Sequence, residues 1–299
     1  MSNKNLTCNK ITVLLTKPQI GTCYIQPITN TFNYIDNNVS YTVNIKFINF
    51  DIEVLITTSE PVDIDTLRDN FVSLYEITML FLGYFPNIQE VDASNTIDSS
   101  NTDELKKETT QLYENLLAAY SSYSDFKKNC ACLIDIATFH FEQIFPNWIQ
   151  FKNKYGFQHR MYLYSTSAME FLIDLRLALL SQVFEPMFKA FCTGNTTPNF
   201  KKVIQDTILL KGKSIFKRQI NEDTLIPLID KIKTNRNQLF HVDKKNNTPN
   251  GSECLYIFHK LNLLYRCCLL ELLGIGLNTY SLCLENFIKA IESNFDDCS

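Results

Sequence analysis

Residues Glu222 to His241 read EDTLIPLIDKIKTNRNQLFH. Leu225, Ile229, Ile232, position 236 and Leu239 recur at alternating helical spacings, which is the signature of one face of an α-helix. Apolar side chains fill that stripe except at Arg236. A guanidinium on a buried or interface-facing stripe is costly unless something pairs with it. Asn237 and His241 lie one helical turn apart and share a face beside Arg236. Arg236 and His241 are separated by about 140° around the axis, so the Arg side chain must curl across Asn237 to converge with the imidazole. The stretch therefore predicts a bundle helix that carries a polar seam along an apolar stripe.

The surrounding chain reads as helix. Phe139 to Lys154 predicts a short helix bent at Pro146, and Arg160 to Phe184, apolar nearly all round, predicts a buried central helix. Phe200 to Lys217, Glu253 to Leu273 and Tyr280 to Phe295 supply further helices, with a polar loop from Asp243 to Gly251. Short connections between long helices mean a bundle. Toward the N-terminus the period changes to two, and Ile11 to Leu15, Cys23 to Ile28, Tyr41 to Phe50 and Ile52 to Thr58 read as strands. Asp63 or Asp65 caps a helix through Leu67, Phe71, Leu74, Tyr75 and Met79. Asn87 to Asp103, rich in Asn, Ser, Asp and Thr, reads as a surface loop, followed by a helix from Glu104 to about Lys128. The predicted fold class is α+β: a β-rich N-terminal domain with flanking helices over residues 1–139, then an all-α bundle over residues 140–299.

Composition narrows the function classes. A chain of 299 residues with 45% hydrophobic and 20% charged content suits a soluble globular protein of about two domains. Only 8 glycines are present, which argues against folds that cradle phosphate in glycine-rich loops. Gly212-Lys213-Ser214 imitates such a loop, but Thr207 stands where its first glycine belongs and Ile208, Leu209 and Leu210 are too bulky to wrap a phosphate. Gly274-Ile275-Gly276 reads as the stop of the preceding helix. No apolar leader follows Met1, and the stretch from Leu269 to Leu284 is interrupted by Glu271, so a cytoplasmic protein without a membrane span is expected. In that compartment the 10 cysteines read as buried, inert thiols. Cys130-x-Cys132 and the adjacent Cys267 and Cys268 lack metal-ligand spacing, and His140 and His259 are lone histidines that read as packing. No metal or other cofactor is expected.

Charge is uneven. Residues 199–245 hold 11 Lys and Arg against 5 Asp and Glu, a surplus of +6 in a chain of net charge −4, so the remainder sums to −10. Such a window is either a phosphate-binding surface or a solvated helical face.

Arg236, Asn237 and His241 suit phosphodiester cleavage in RNA. Histidine titrates near neutrality and serves as base or acid. Arginine offers a fixed planar fork to the charge that builds on a phosphorane-like transition state. The Asn237 amide can orient the imidazole or a phosphate oxygen, and the helix C-terminal dipole favours the protonated form of His241. A helix-terminal histidine beside a surface arginine is the plain alternative. The R-N-x-x-x-H pattern resembles the signature of the HEPN ribonucleases, specifically the Apea-like group. Phe141 to Tyr155, with Pro146-Asn147-Trp148, resembles the segment before that family's bundle. Ser167-Ala168-Met169-Glu170-Phe171 is similar to its first long helix, and Leu269 to Ile275 to its closing helix, so the resemblance spans residues 140–277. It implies a composite site formed by two motif helices in a homodimer, metal-independent cleavage leaving a 2′,3′-cyclic phosphate, and a role as an antiviral-defence or toxin effector. Scaffold relatives without activity exist, which leaves a non-catalytic RNA- or protein-binding module as the alternative.

Further residues bear on the site. Ser167, Glu170, Asp174 and Ser181 fall at helical spacing on the expected Arg160–Phe184 helix. Glu170 and Asp174 are candidate supporting carboxylates for Arg236, or members of a solvent-facing seam. Lys244 and Lys245 either hold flanking RNA phosphates or solubilise a loop. The N-terminal domain is expected to sense a ligand or a regulatory partner.

Overall fold

The computed structural model describes residues 6–16, 24–49, 51–97, 102–120, 132–167, 171–192, 199–238 and 249–295. It divides into two compact units, residues 1–150 and 151–299, and the architecture is α+β, an antiparallel sheet followed by helices.

In the first unit, β1 (Thr7–Thr16), β2 (Tyr24–Asp36), β3 (Val39–Asn49), β4 (Asp51–Asp63) and β5 (Asn87–Ser94) form one antiparallel sheet in the order β2-β3-β4-β1-β5. Alternation puts Ile11, Val13 and Leu15, Tyr41, Val43, Ile45 and Phe47, and Ile52, Val54 and Ile56 on one buried face. The β2–β3 hairpin turns through Asn37 and Asn38, whose φ values of 49° and 66° are those of a two-residue turn matching strand twist. Helix α1 (Ile64–Leu82) packs on β1 and β4, opens with the Asp63 carboxylate accepting from the Asp65 amide, and closes at Gly83 with φ 80°. Helix α2 (Thr102–Tyr120) lies against β5. Aromatic stacking of Phe32 on Phe141, an edge contact of Phe32 with Phe145, and donation from Trp148 Nε1 to the Ser73 carbonyl at 2.7 Å join residues 141–148 to this unit.

One expectation fails here. Asn87 to Ser94 is not loop but the edge strand β5, paired with β1. Its polar residues suit an edge, where one side of the backbone faces away from the sheet and charges such as Glu90 and Asp92 discourage further pairing; only Ile88 and Ala93 are buried.

The second unit holds most of α3 (Phe145–Ser167), then α4 (Ile173–Phe191), α5 (Phe200–Lys211), α6 (Glu222–Gln238), α7 (Gly251–Leu272) and α8 (Ser281–Asn294). The expected central helix over Arg160–Phe184 is two helices. α3 ends at Ser167, and Arg176 in α4 donates from Nε to the Ser165 carbonyl at 2.9 Å and from Nη2 to the Thr166 carbonyl at 3.0 Å. Those donors satisfy carbonyls at the helix end without any glycine or proline to mark the break. The bend expected at Pro146 is absent as well. Pro146 sits in the first turn of α3, where its missing N–H costs nothing, and the non-helical backbone is at Tyr155. The central helix is α7, buried at every residue from Tyr256 to Leu270. It packs chiefly on α4, and α4 also packs on α6 and α5. Gly212 closes α5 against α7 so tightly that a Cβ would lie 2.9 Å from Leu264 Cδ1. The glycine of the phosphate-loop imitation is therefore a packing glycine.

Among the described residues no helix is long and apolar enough to cross a membrane. Cys8, Cys192, Cys254, Cys267 and Cys268 are buried thiols, whereas Cys132 and Cys283 are exposed, so burial does not extend to every cysteine.

Candidate functional site

Helix α6 buries Leu225, Leu228, Ile229 and Ile232. One turn further on, Arg236 extends the stripe as a half-buried cation. Its Nη2 lies 2.6 Å from Glu185 Oε2 on α4, and its guanidinium carbon sits 4.3 Å from the centre of the Phe200 ring at the start of α5. The aromatic face and the carboxylate together offset the cost of a charge on an apolar stripe. Among the described residues, Arg236 Nε is buried without a hydrogen-bond partner. The same holds for Oδ1 of the neighbouring Asn235, whose Nδ2 donates to Cys254 Sγ at 3.8 Å. Burial, Asp174 and Glu253, in that order, push the Cys254 thiol up to about 11, which leaves it protonated and a weak nucleophile at neutral pH.

The remaining expected site residues divide in two. Asn237 is partly exposed on the last turn of α6. Asp174 is exposed in the first turn of α4, where its carboxylate accepts from the Leu175 amide at 2.8 Å. Glu170, His241, Lys244 and Lys245 lie outside the described residues. Ser167 ends α3, whereas Asp174 and Ser181 belong to the separate helix α4; Ser181 is buried and donates to the Ala178 carbonyl at 2.8 Å. The carboxylate on Arg236 is Glu185, 51 positions away in sequence. Pro186 is the reason it escapes a sequence reading: proline signals a helix stop, whereas α4 continues through Pro186 to Phe191.

Pairing also changes the meaning of the basic window. Lys201 meets Asp230, Lys202 meets Asp206, Lys211 meets Glu271, Arg218 meets Glu292, Lys231 meets Glu253 and Arg236 meets Glu185. Glu185, Glu253, Glu271 and Glu292 all lie outside the window, so the local surplus is largely balanced in space. Lys231 holds the Glu253 carboxyl below the ordinary carboxylate range, and Glu253 completes a capping box with Asn250 at the start of α7. His259 is a core histidine, held down to about 4 first by burial and then by Arg176, while His140 is exposed. No group of three or more His, Cys, Asp or Glu side chains among the described residues is arranged to hold a metal ion.

Residues 174–278, from the first turn of α4 through the turn that precedes α8, match the family model described as Apea-like HEPN. That segment is similar to Apea-like HEPN domains, and it contains Arg236, Asn237, His241 and Glu185. The resemblance read over residues 140–277 is thus met from residue 174 onward. No curated protein and no solved structure matches the chain.

Proposed function

We propose that this chain is a metal-independent endoribonuclease. The observation that carries the reading is Arg236, a cation kept on an apolar stripe by a carboxylate and an aromatic ring, in the R-N-x-x-x-H stretch of an Apea-like HEPN segment. The family match supports a nuclease-type, RNA-related function. In this reading the RNA 2′-oxygen attacks the adjacent phosphorus, the bond from phosphorus to the 5′-oxygen breaks, and a 2′,3′-cyclic phosphate remains. His241 takes the 2′-hydroxyl proton or returns one to the leaving oxygen. Arg236 stabilises the charge that develops on phosphorus oxygens, and Asn237 orients the imidazole or a phosphate oxygen. Glu170 and Asp174 support the seam, and Lys244 and Lys245 hold flanking phosphates. Two copies meet through their motif helices in a homodimer. The β-rich domain over residues 1–139 senses a ligand or partner, and the protein acts in the cytoplasm as an antiviral-defence or toxin effector.

The test is incubation of purified full-length protein with a mixed RNA pool in EDTA beside a His241→Ala control. Cleavage by the wild type that is lost in the variant, with an unchanged circular dichroism spectrum, is the expected result. Equal cleavage by both proteins, or strict dependence on added Mg²⁺, would overturn the reading.

The pairing of Arg236 with Glu185 favours one rival. A guanidinium already neutralised within its own chain has less to offer a transition state, as in a non-catalytic RNA- or protein-binding module. That module would bind RNA or a protein partner and cleave nothing under any of these conditions.

A further inference from the structure

A cavity of about 640 Å³ opens on the second unit between the α5–α6 connection and α8. Its volume falls in the range of small-molecule sites. Lys217, Arg218 and Lys289 supply cations to its walls, Ser214 and Ser293 supply hydroxyls, and Ile288 supplies apolar surface. Two carboxylates, Glu285 and Glu292, also line it. Glu292 is only 7% exposed and is held by a buried network. Lys260, with no exposed surface at all, meets it from the α7 side, and Arg218 Nη1 lies 3.1 Å from its Oε2. Lys260 Nζ also donates to Gln219 Oε1 at 2.8 Å, Gln219 Nε2 donates to the Tyr256 hydroxyl at 2.8 Å, and that hydroxyl lies 3.3 Å from both Glu292 oxygens.

A fully buried ammonium is expensive unless it is paired and hydrogen-bonded, and here the pairing fixes the floor of a cavity. Burial pulls the Lys260 ammonium toward neutrality, and Glu292 opposes that shift. Three lining cations face two lining carboxylates, so the cavity keeps a cationic surplus inside a chain of net charge −4. This arrangement is separate from the motif. The cavity adjoins the N-terminal end of α6, and Arg236 stands about 21 Å further along the axis at 1.5 Å per residue. Its α8 wall also lies beyond residue 278, outside the family match.

We propose that this cavity binds a small phosphorylated molecule of about nucleotide size. Lys217, Arg218 and Lys289 attract the phosphate, and Ser214 donates a hydrogen bond to one of its oxygens, whereas the Ser293 hydroxyl already donates to the Lys289 carbonyl at 2.7 Å. Glu285 accepts from hydroxyl or amino groups on the remainder of the molecule. A strand of RNA fits less well, because non-specific strand binding uses an extended groove with aromatic stacking platforms, and the described lining contains no aromatic ring.

Isothermal titration of the full-length protein with AMP, ADP, adenosine and a short RNA without terminal phosphates tests the proposal. AMP or ADP should bind at about 0.1 mM or tighter, with adenosine roughly tenfold weaker or more. The Lys217→Glu/Lys289→Glu double variant changes two exposed side chains and should weaken nucleotide binding by roughly tenfold or more, with an unaltered circular dichroism spectrum. Ser214→Glu, a single change on an exposed turn, should give a loss in the same direction. Absence of AMP and ADP binding at about 1 mM, equal affinity for adenosine and AMP, or nucleotide binding untouched by both variants would overturn the proposal. Loss of RNA binding in the double variant, without any nucleotide binding in the wild type, would also overturn it and make the cavity an RNA contact.

Discussion

Arg236 on α6 and Glu185 on α4 meet at 2.6 Å, with side-chain exposures of 20% and 35%. The contact ties the end of the motif helix to the second turn from the end of α4, and Phe200 closes over the guanidinium from α5. Three helices therefore converge on one cation.

The first prediction concerns that pair. If Glu185 positions the fork for catalysis, Glu185→Gln should lower single-turnover RNA cleavage by about tenfold while RNA affinity holds or rises, since a negative charge has been removed. The stability change should stay at about 1 kcal/mol for a pair still partly open to solvent. A faster rate in the variant would show that Glu185 restrains Arg236 rather than aiming it.

Arg236→Lys separates enzyme from binding module. Lysine keeps the charge and loses the planar fork, so cleavage should fall far more than RNA affinity if the guanidinium acts in the transition state. Single-turnover rates and binding isotherms on the same RNA decide it. A parallel loss in both would make Arg236 a docking residue.

Assembly gives a third prediction. A composite site at a two-fold axis requires each copy to present the same patch. Sedimentation should show a dimer, or dimerisation on activation. A strict monomer that still cleaves RNA would rule the composite site out.

Stability should fall on acidification through two core histidines. His259 is held down to about 4 and His159 to about 3, both chiefly by burial. Unfolded, each takes up a proton near pH 6.5; folded, neither does until far lower. Their stabilising neutrality is thus complete above about pH 6.5 and is lost as pH falls toward 4, at up to about 1.4 kcal/mol per pH unit for each group. Urea midpoints at pH 7 and pH 5 should differ, and His259→Gln should flatten the difference. An identical pH dependence in that variant would exclude His259 as a contributor.

Much of this was legible in the linear chain because the relevant physics is local. Period-two alternation in Ile11 to Leu15 and Tyr41 to Phe47 places alternate residues on one face of a strand, and the stripe from Leu225 to Ile232 does the same for a helix. Asp63 was recognisable as a cap because capping acts over two or three residues. Position 236 stood out because a charge interrupts an otherwise apolar period. Other features depend on partners distant in sequence. The polar stretch Asn87 to Ser94 becomes a strand only because β1 offers it an edge. The break between α3 and α4 is stabilised by Arg176, whose donors reach back across the chain. Glu185 became the partner of Arg236 because packing carried α4 past Pro186, against the local signal to stop. The buried Lys260–Glu292 pair likewise joins α7 to α8 across 32 positions. Residue type and spacing determined which groups were available for chemistry, whereas long-range packing decided which charges met, because an ion pair depends on distance in space and not along the chain.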